Sequence, residues 1–250
     1  MREQDISGHK VKIYDSIDEM PITRFHKYNK YLLIDSGIGS DLEDLDGHFN
    51  KAIKYLRIKP ELAITELENL RQLMHFINEN ISPKYLAYAA LVVEIDDKPI
   101  TDISDEGLKK VLEILGNAKK GWFDRFFESV KKKIDTELSL YFPANFDDAT
   151  VKEFYDKVKA RTQLVLTKII SGKNTDNQVE EIDNFLLTLA KPKTFSGRDN
   201  AEILFDKQFE EMSLLLSHQL SVDPPKMTVL QYYNAFEYLK KLSKQRKPQI

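Results

Sequence analysis

The clearest helical pattern in the chain is SDLEDLDGHFNKAIKYL, residues 40–56. Ser40 and Asp41 suit a helix start because their side chains can accept hydrogen bonds from free backbone N–H groups, and acidic residues follow near the positive helix end. Apolar side chains then recur every three or four positions. They are Leu42, Leu45, Phe49, Ala52, Ile53 and Leu56. We predict an amphipathic helix whose apolar stripe faces a core.

The flanking sequence predicts further helices. Pro21 suits the start of a preceding helix, and Gly37 and Gly39 suit its end. Lys59-Pro60 closes residues 40–56 and opens the next helix. Leu67, Leu70, Met74 and Ile77 lie on one face of that helix. Ser82-Pro83 precedes an apolar helix over residues 85–95, and similar signals recur towards the C-terminus. We predict an all-α fold: a multi-helix bundle of about ten antiparallel helices joined by short loops.

The N-terminal residues predict a short extended arm. Residues 1–9 are polar and are expected to be loose, whereas Val11-Lys12-Ile13-Tyr14 alternates apolar and polar side chains as a strand does. One strand alone is unstable, so this one must pair with another chain or lie on the helices. We predict an arm at 1–16 and helical halves at 17–142 and 143–250, the halves being separate or one continuous domain.

Composition and charge exclude several classes of protein. The chain has 250 residues, 37 basic and 40 acidic side chains and a net charge of −3, and its basic runs are short. A nucleic-acid binder usually carries a basic excess, so we expect no specific nucleic-acid partner. With no cysteine, disulfides and thiolate sites are excluded. The N-terminus lacks an apolar signal-peptide core, and no window approaches the ~18 apolar residues of a membrane span.

Titratable residues form no recognisable active site. His48 follows several acidic residues, but an EF-hand loop in this register would need carboxylates at Leu42 and Ile53. Residues 37–40 could hold a phosphate on backbone N–H groups, but no P-loop lysine is present and acidic residues follow directly. We therefore predict no catalytic, cofactor-binding or metal-binding residue, and no enzyme.

Aromatic residues cover more than one side of two predicted helices, at residues 122–127 and 232–238. Because aromatic residues are enriched in interface cores, the second side indicates a partner surface, although a thick local core explains it equally well. Basic residues between aromatics could also bind single-stranded nucleic acid, but the chain has no net basic excess.

Part of the chain resembles a known group of proteins. The similarity runs through IYDSIDEMPITRFHKYNKYL, residues 13–32, and DSGIGSD, residues 35–41, to Asp46, and covers about residues 11–80. This pattern is similar to small structural proteins of phages that infect Bacteroides-type hosts, in particular crAss-like podoviruses. Such proteins include rings that stack beneath the portal and join head to tail. The resemblance carries no catalytic motif.

The resemblance implies a virion structural protein, made in the bacterial host cytoplasm: a head–tail connector or collar ring subunit that closes into a homo-oligomer near the portal. Its partners would be further copies of itself, the portal and neighbouring tail or collar proteins, with no membrane and no cofactor. The candidate interface residues are Val11, Ile13, Tyr14, Phe123, Phe127, Tyr232, Tyr233 and Phe236.

The sequence is also compatible with two alternative functions. A non-virion assembly factor, such as a tail assembly chaperone or scaffold, would share the helical and acidic character but would be absent from mature particles. An enzyme or nucleic-acid binder whose site forms only in the fold would show a basic groove or a cluster of titratable side chains in a deep pocket.

Overall fold

The computed structural model describes residues 1–116, 120–143, 149–189 and 191–245. These residues are 72% helical, and the predicted all-α class is confirmed. The described residues form ten α-helices: α1 (Ile22–Ile38), α2 (Leu42–Ile58), α3 (Pro60–Asn78), α4 (Pro83–Ala90), α5 (Asp105–Leu115), α6 (Lys120–Tyr141), α7 (Ala149–Ser171), α8 (Asp176–Leu189), α9 (Ala201–Leu220) and α10 (Val229–Gln245). A single 3₁₀ turn (Pro224–Lys226) precedes α10.

Several predicted helix boundaries are confirmed with their caps. The carboxylate of Asp41 accepts hydrogen bonds from the backbone N–H groups of Glu43 and Asp44 at the start of α2. Ser82 and Ser104 cap α4 and α5 in the same way, each through its side-chain oxygen. Gly39 ends α1 with φ of +89°, a conformation that L side chains rarely adopt. The sequence therefore places the α1–α2 turn correctly.

The prediction of an N-terminal arm is wrong in one respect. The segment is extended, but it pairs with other strands of the same chain in a four-stranded sheet. The four strands lie in the order β1 (Arg2–Ile6), β2 (His9–Ile13), β3 (Val92–Ile95) and β4 (Lys98–Pro99), and neighbouring strands are antiparallel. Residues 1–9 are thus not loose, since most of them form β1 and its hairpin turn. The strand at residues 9–13 has partners on both sides and needs no second chain.

The predicted helix over residues 85–95 is also too long. Helix α4 ends at Ala90, and β3 begins two residues later. The segment from Val92 to Ile95 is rich in β-branched residues, which favour strands, and β2 offers it a free edge. A segment that is apolar nearly all round is usually buried, and Val92 and Ile95 are buried here as strand residues instead of helical ones.

One hydrophobic core joins the sheet to helices from both predicted halves. Its buried members run from Ile6, Val11 and Ile13 in the sheet to Leu216, Val229 and Tyr232 near the C-terminus. The backbone N–H groups of Val229 and Leu230 donate to the carbonyls of Met20 and Ile17, which ties the start of α10 to the start of α1. The division into two halves remains a prediction.

Arg24 ties α1 to the sheet. Its side chain is only 8% exposed and donates to the backbone carbonyls of Ala90, Val92 and Ile100. Burial lowers the pKa of its guanidinium, but a guanidinium stays charged in proteins. Its hydrogen bonds join the first turn of α1 to the junction of α4 and β3. No helix in the described part of the chain is long and apolar enough to cross a membrane.

Candidate interaction surface

Helices α2 and α3 form an antiparallel hairpin whose inner face is partly polar. The side chains that α2 buries are His48, Ala52 and Tyr55, and those that α3 buries include Ala63, Glu66, Asn69, Leu70 and Leu73. The polar members of this set have partners in the chain. The hydroxyl of Tyr55 donates to the carbonyl of Leu187, and the amide of Asn69 donates to that of Lys193. These bonds fix the rotation of the hairpin against α8 and the loop after it.

A buried pair at the base of the hairpin fixes the same rotation. His48 Nδ1 lies 2.5 Å from Glu66 Oε2, and His48 Nε2 lies 2.8 Å from the carbonyl oxygen of Ile38. Both side chains are less than a tenth exposed. Burying two ionisable groups is unfavourable unless they are paired, so this contact holds the His48 side of α2 inward.

This rotation turns the strongest apolar stripe of the sequence towards solvent. We define the α2–α3 face as the large apolar side chains of the hairpin that are 43–69% exposed. They are Leu42, Phe49, Ile53, Leu56, Ile64, Leu67 and Met74. The prediction that the α2 stripe faces the core is therefore wrong for four of its six members. Ala52 is buried, and Leu45 packs at the edge of the core.

The exposed residues of the two helices lie on adjoining flanks of the hairpin. At 3.6 residues per turn, the exposed apolar strip lies roughly 100° from the buried face on both α2 and α3. The other flank of α2, which carries Gly47, Lys51 and Lys54, lines a cavity shared with α7 and α8. The apolar strip of α2 therefore lies on the flank away from this cavity. Because the two antiparallel helices turn their buried sides to each other at His48 and Glu66, strips displaced in the same sense from those sides lie on one side of the hairpin.

A second exposed apolar face lies near the C-terminal end of α7. Leu166, Ile169 and Ile170 are spaced i, i+3 and i+4, so they share one side of the helix, and they are 49–82% exposed. The helical spacing of apolar residues predicts that Ile169 lies on the inward side of α7, but its 73% exposure contradicts that prediction.

Most of the candidate interface residues from the sequence lie inside the chain. Val11 and Ile13 are fully buried in the sheet, and Tyr14 is 9% exposed. The ring of Phe127 is also fully buried and stacks on Tyr88, with ring centroids 4.4 Å apart. The interpretation as a thick local core is correct for Phe127. The side chain of Phe123 lies outside the described residues.

The aromatic residues of α10 line a cavity of about 600 Å³ between α1, α9 and α10. Tyr232 is buried, whereas Tyr233 and Phe236 are partly buried. Tyr233 contacts Phe25 and Phe142, with centroid separations of 6.3 and 5.3 Å. These three residues are thus packed largely against the chain itself, and Tyr238, at 54% exposure, points more to solvent.

His26 lies at the wall of this cavity. Its ring stacks between Phe205 and Phe209, at centroid distances of 4.6 and 4.1 Å, and its Nε2 lies 2.9 Å from Asp206 Oδ1. Burial lowers the pKa of His26, although the Asp206 carboxylate acts in the opposite direction. The helical spacing of the sequence predicts that His26 lies on the exposed side of α1, but α9 covers it and its side chain is only 15% exposed.

The buried His48–Glu66 pair has no arrangement suited to nucleophilic catalysis. Ser36 lines the same cavity, but its hydroxyl donates to the carbonyl of Leu33, and both ring nitrogens of His48 are already occupied. A catalytic triad would require the serine hydroxyl on one of those nitrogens. Among the described residues, no group of three or more histidine or acidic side chains could hold a metal ion.

The α2–α3 face is therefore the surface that stands out in the part of the chain described. Helical spacing in the sequence marks six of its seven residues, all but Ile64, and predicts that those of α2 face a core. His48 and Glu66 lie on the buried side of the hairpin. Their contact fixes how α2 and α3 are rotated about their axes, but it joins residues eighteen positions apart and is not visible in the sequence. Comparisons with protein-family models, with curated proteins and with solved structures find no match to this chain.

Proposed function

We propose that this protein is a virion structural protein of a phage, a head–tail connector or collar ring subunit that forms a closed homo-oligomer near the portal. The observation that carries the proposal is the α2–α3 face, seven large apolar side chains open to solvent on one hairpin. The resemblance of residues 11–80 to structural proteins of crAss-like phages supports the virion assignment.

The size of the α2–α3 face suits a specific protein interface. Burying one large apolar side chain is worth ~1.5–3 kcal/mol at ~25 cal/mol per Å², which corresponds to roughly 60–120 Å² of apolar surface. Seven such side chains at roughly half exposure present about 250–450 Å², enough for the apolar centre of a standard interface of ~800 Å² per partner. Monomeric proteins rarely expose contiguous apolar patches larger than a few hundred Å². A partner that covers this face is therefore favoured over free exposure.

A closed ring requires two different faces on each subunit, because a head-to-tail contact joins one patch to another. The α2–α3 face is the larger patch. The face formed by Leu166, Ile169 and Ile170 on α7 is a second apolar patch, on a different helical hairpin. We propose that the first face of one subunit contacts the second face of its neighbour. Symmetric pairing of two α2–α3 faces would instead give a dimer.

Native mass spectrometry of the purified chain tests the assembly. We expect wild type to form one closed oligomer, and the double variant Ile53→Glu/Ile64→Glu to be monomeric because it places charges at the centre of the α2–α3 face. Leu140→Glu is the matched control, since Leu140 is 74% exposed on α6 outside both faces. If the double variant still forms the oligomer, the α2–α3 face is not the contact between subunits.

Quantitative mass spectrometry of gradient-purified phage particles tests the virion assignment. A ring subunit should be present at a copy number matched to the portal. The alternative function, a non-virion assembly factor such as a tail chaperone or scaffold, would use the same apolar face but would be absent from mature particles. Absence from particles would therefore rule out the ring and leave the assembly factor.

A further inference from the structure

A cavity of about 520 Å³ lies where α2 meets α7, α8 and the loop before residue 194. This volume is within the ~300–1,000 Å³ of small-molecule sites. The loop on one side is held in place, because Asn69 and Gln72 of α3 donate to the carbonyls of Lys193 and Phe195, at 2.9 and 2.7 Å. The cavity is therefore bounded by well-anchored elements.

The walls of the cavity are mostly apolar. Tyr55 of α2, Phe154 of α7, and Leu186 and Leu187 of α8 contribute them. The hydroxyl of Tyr55 is engaged by the carbonyl of Leu187, so the tyrosine presents mainly its ring. Such walls fit a hydrocarbon or aryl group better than a polar one.

Four lysines, Lys51, Lys54, Lys191 and Lys193, line the same cavity and are exposed at its margin. Within the described residues, none of the four forms an ion pair. The two acidic residues that line the cavity have partners: Glu66 pairs with His48, and Asp183 accepts from Arg161 at 2.5 Å. Among the described residues, the cavity lining therefore carries positive charge and no unpaired carboxylate.

Four like charges around one opening repel one another, and an anion placed among them relieves that repulsion through charge-assisted hydrogen bonds. From the apolar walls and the basic margin together, we propose that this cavity binds a single-chain amphiphile with an anionic head, its apolar chain against Phe154 and Leu186 and its carboxylate or phosphate among the four lysines. The proposal is independent of whether the chain assembles into a ring.

Isothermal titration calorimetry with dodecanoate and dodecyl phosphate, each below its critical micelle concentration, tests this. We expect saturable binding of one molecule per chain for at least one of them. Acetate and inorganic phosphate lack the chain, and dodecyltrimethylammonium has the opposite charge, so each should bind at least ten-fold more weakly. Equal binding of the cationic amphiphile would overturn the proposal, as would no saturable binding of either anionic one.

Two variants locate the site. Replacing all four lysines by glutamine should weaken dodecanoate binding at least ten-fold, while Ile64→Ser/Leu67→Ser on the α2–α3 face should leave it unchanged. The reverse pattern would show adsorption to the α2–α3 face and refute the cavity. Hydrogen exchange measured on wild type locates the site without any substitution. Dodecanoate should protect the backbone amides of residues 47–55 and 184–189 from exchange. Protection confined to α3 would also refute the proposal.

Discussion

His48 and Glu66 form a buried contact between α2 and α3, with 2.5 Å between Nδ1 and Oε2. The other ring nitrogen of His48 lies 2.8 Å from the carbonyl oxygen of Ile38, at the end of α1. Three consecutive helices are thus joined through one imidazole. This contact accounts for the orientation of the hairpin and hence for the exposure of its apolar face.

The two partners of this contact should respond differently to substitution. His48→Ala leaves the Glu66 carboxylate buried without its partner and should lower the free energy of unfolding by about 3–5 kcal/mol. Glu66→Gln keeps a side chain that can donate to Nδ1 while Nε2 donates to Ile38, so we expect a loss of about 1 kcal/mol. Urea unfolding at low protein concentration measures both. Equal losses for the two variants would contradict the pairing.

The α1–α2 turn offers a matched pair of glycine substitutions. Gly39 has φ of +89°, and a Cβ there would lie 2.5 Å from Cβ of Asp44, so Gly39→Ala should destabilise the protein by about 2 kcal/mol. Gly47 lies within α2, and a Cβ there meets nothing within 4 Å. Gly47→Ala should therefore stabilise the protein by about 0.5–1 kcal/mol. Thermal unfolding of the two variants gives the comparison, and shifts of the same sign would contradict it.

Arg24 should be irreplaceable by lysine. Its guanidinium donates to three backbone carbonyls, two of them at 3.1 and 2.7 Å, and an ammonium cannot reproduce that planar geometry. Arg24→Lys and Arg24→Met should both lose about 3 kcal/mol or more of stability, because buried carbonyls are left without donors. Arg57→Lys is the control, since Arg57 is exposed on α2 and should change little. A neutral Arg24→Lys variant, measured by urea unfolding, would refute this role.

These contacts explain which parts of the fold could be predicted from sequence. The caps at Asp41, Ser82 and Ser104 are local, so each is visible within four residues of the chain. The partner of His48 lies eighteen residues away, and β3 is recognised only through its pairing with β2, about eighty residues earlier. The periodicity of apolar residues identifies the stripe of α2 but not which side of the helix faces the core. Tertiary contacts of polar residues determine that side, and they are not visible in the local sequence.

The titration of His26 gives a pH-dependent prediction. Burial between Phe205 and Phe209 lowers its pKa below the ordinary 6.5, in surroundings that include Asp206, Lys30 and Glu210. The folded state then binds fewer protons than the unfolded state as the pH falls below 6.5. This contribution to stability is fully present above pH 6.5 and is lost as the pH falls through the folded-state pKa.

We therefore expect wild type to lose more stability between pH 7.5 and 5.5 than His26→Gln loses, measured as the shift in urea midpoint. His75→Gln, at an exposed site on α3, should follow wild type. Parallel behaviour of wild type and His26→Gln would show that His26 does not titrate differently in the folded chain.

Substitutions in and beside strand β2 test whether this strand is part of the core of the fold or an arm that contacts another chain. Val11 pairs with Ile95 in the sheet and is fully buried, so Val11→Asp places a charge in the core and should lower stability by several kcal/mol. The exposed Lys10 lies beside it and pairs only with exposed carboxylates at 3.6–3.7 Å, so Lys10→Gln should change stability by less than about 0.5 kcal/mol. Circular dichroism and urea unfolding measure folding, while native mass spectrometry measures assembly. An interchain arm would show the opposite outcome: a Val11→Asp chain that remains folded and stable as a monomer but no longer assembles.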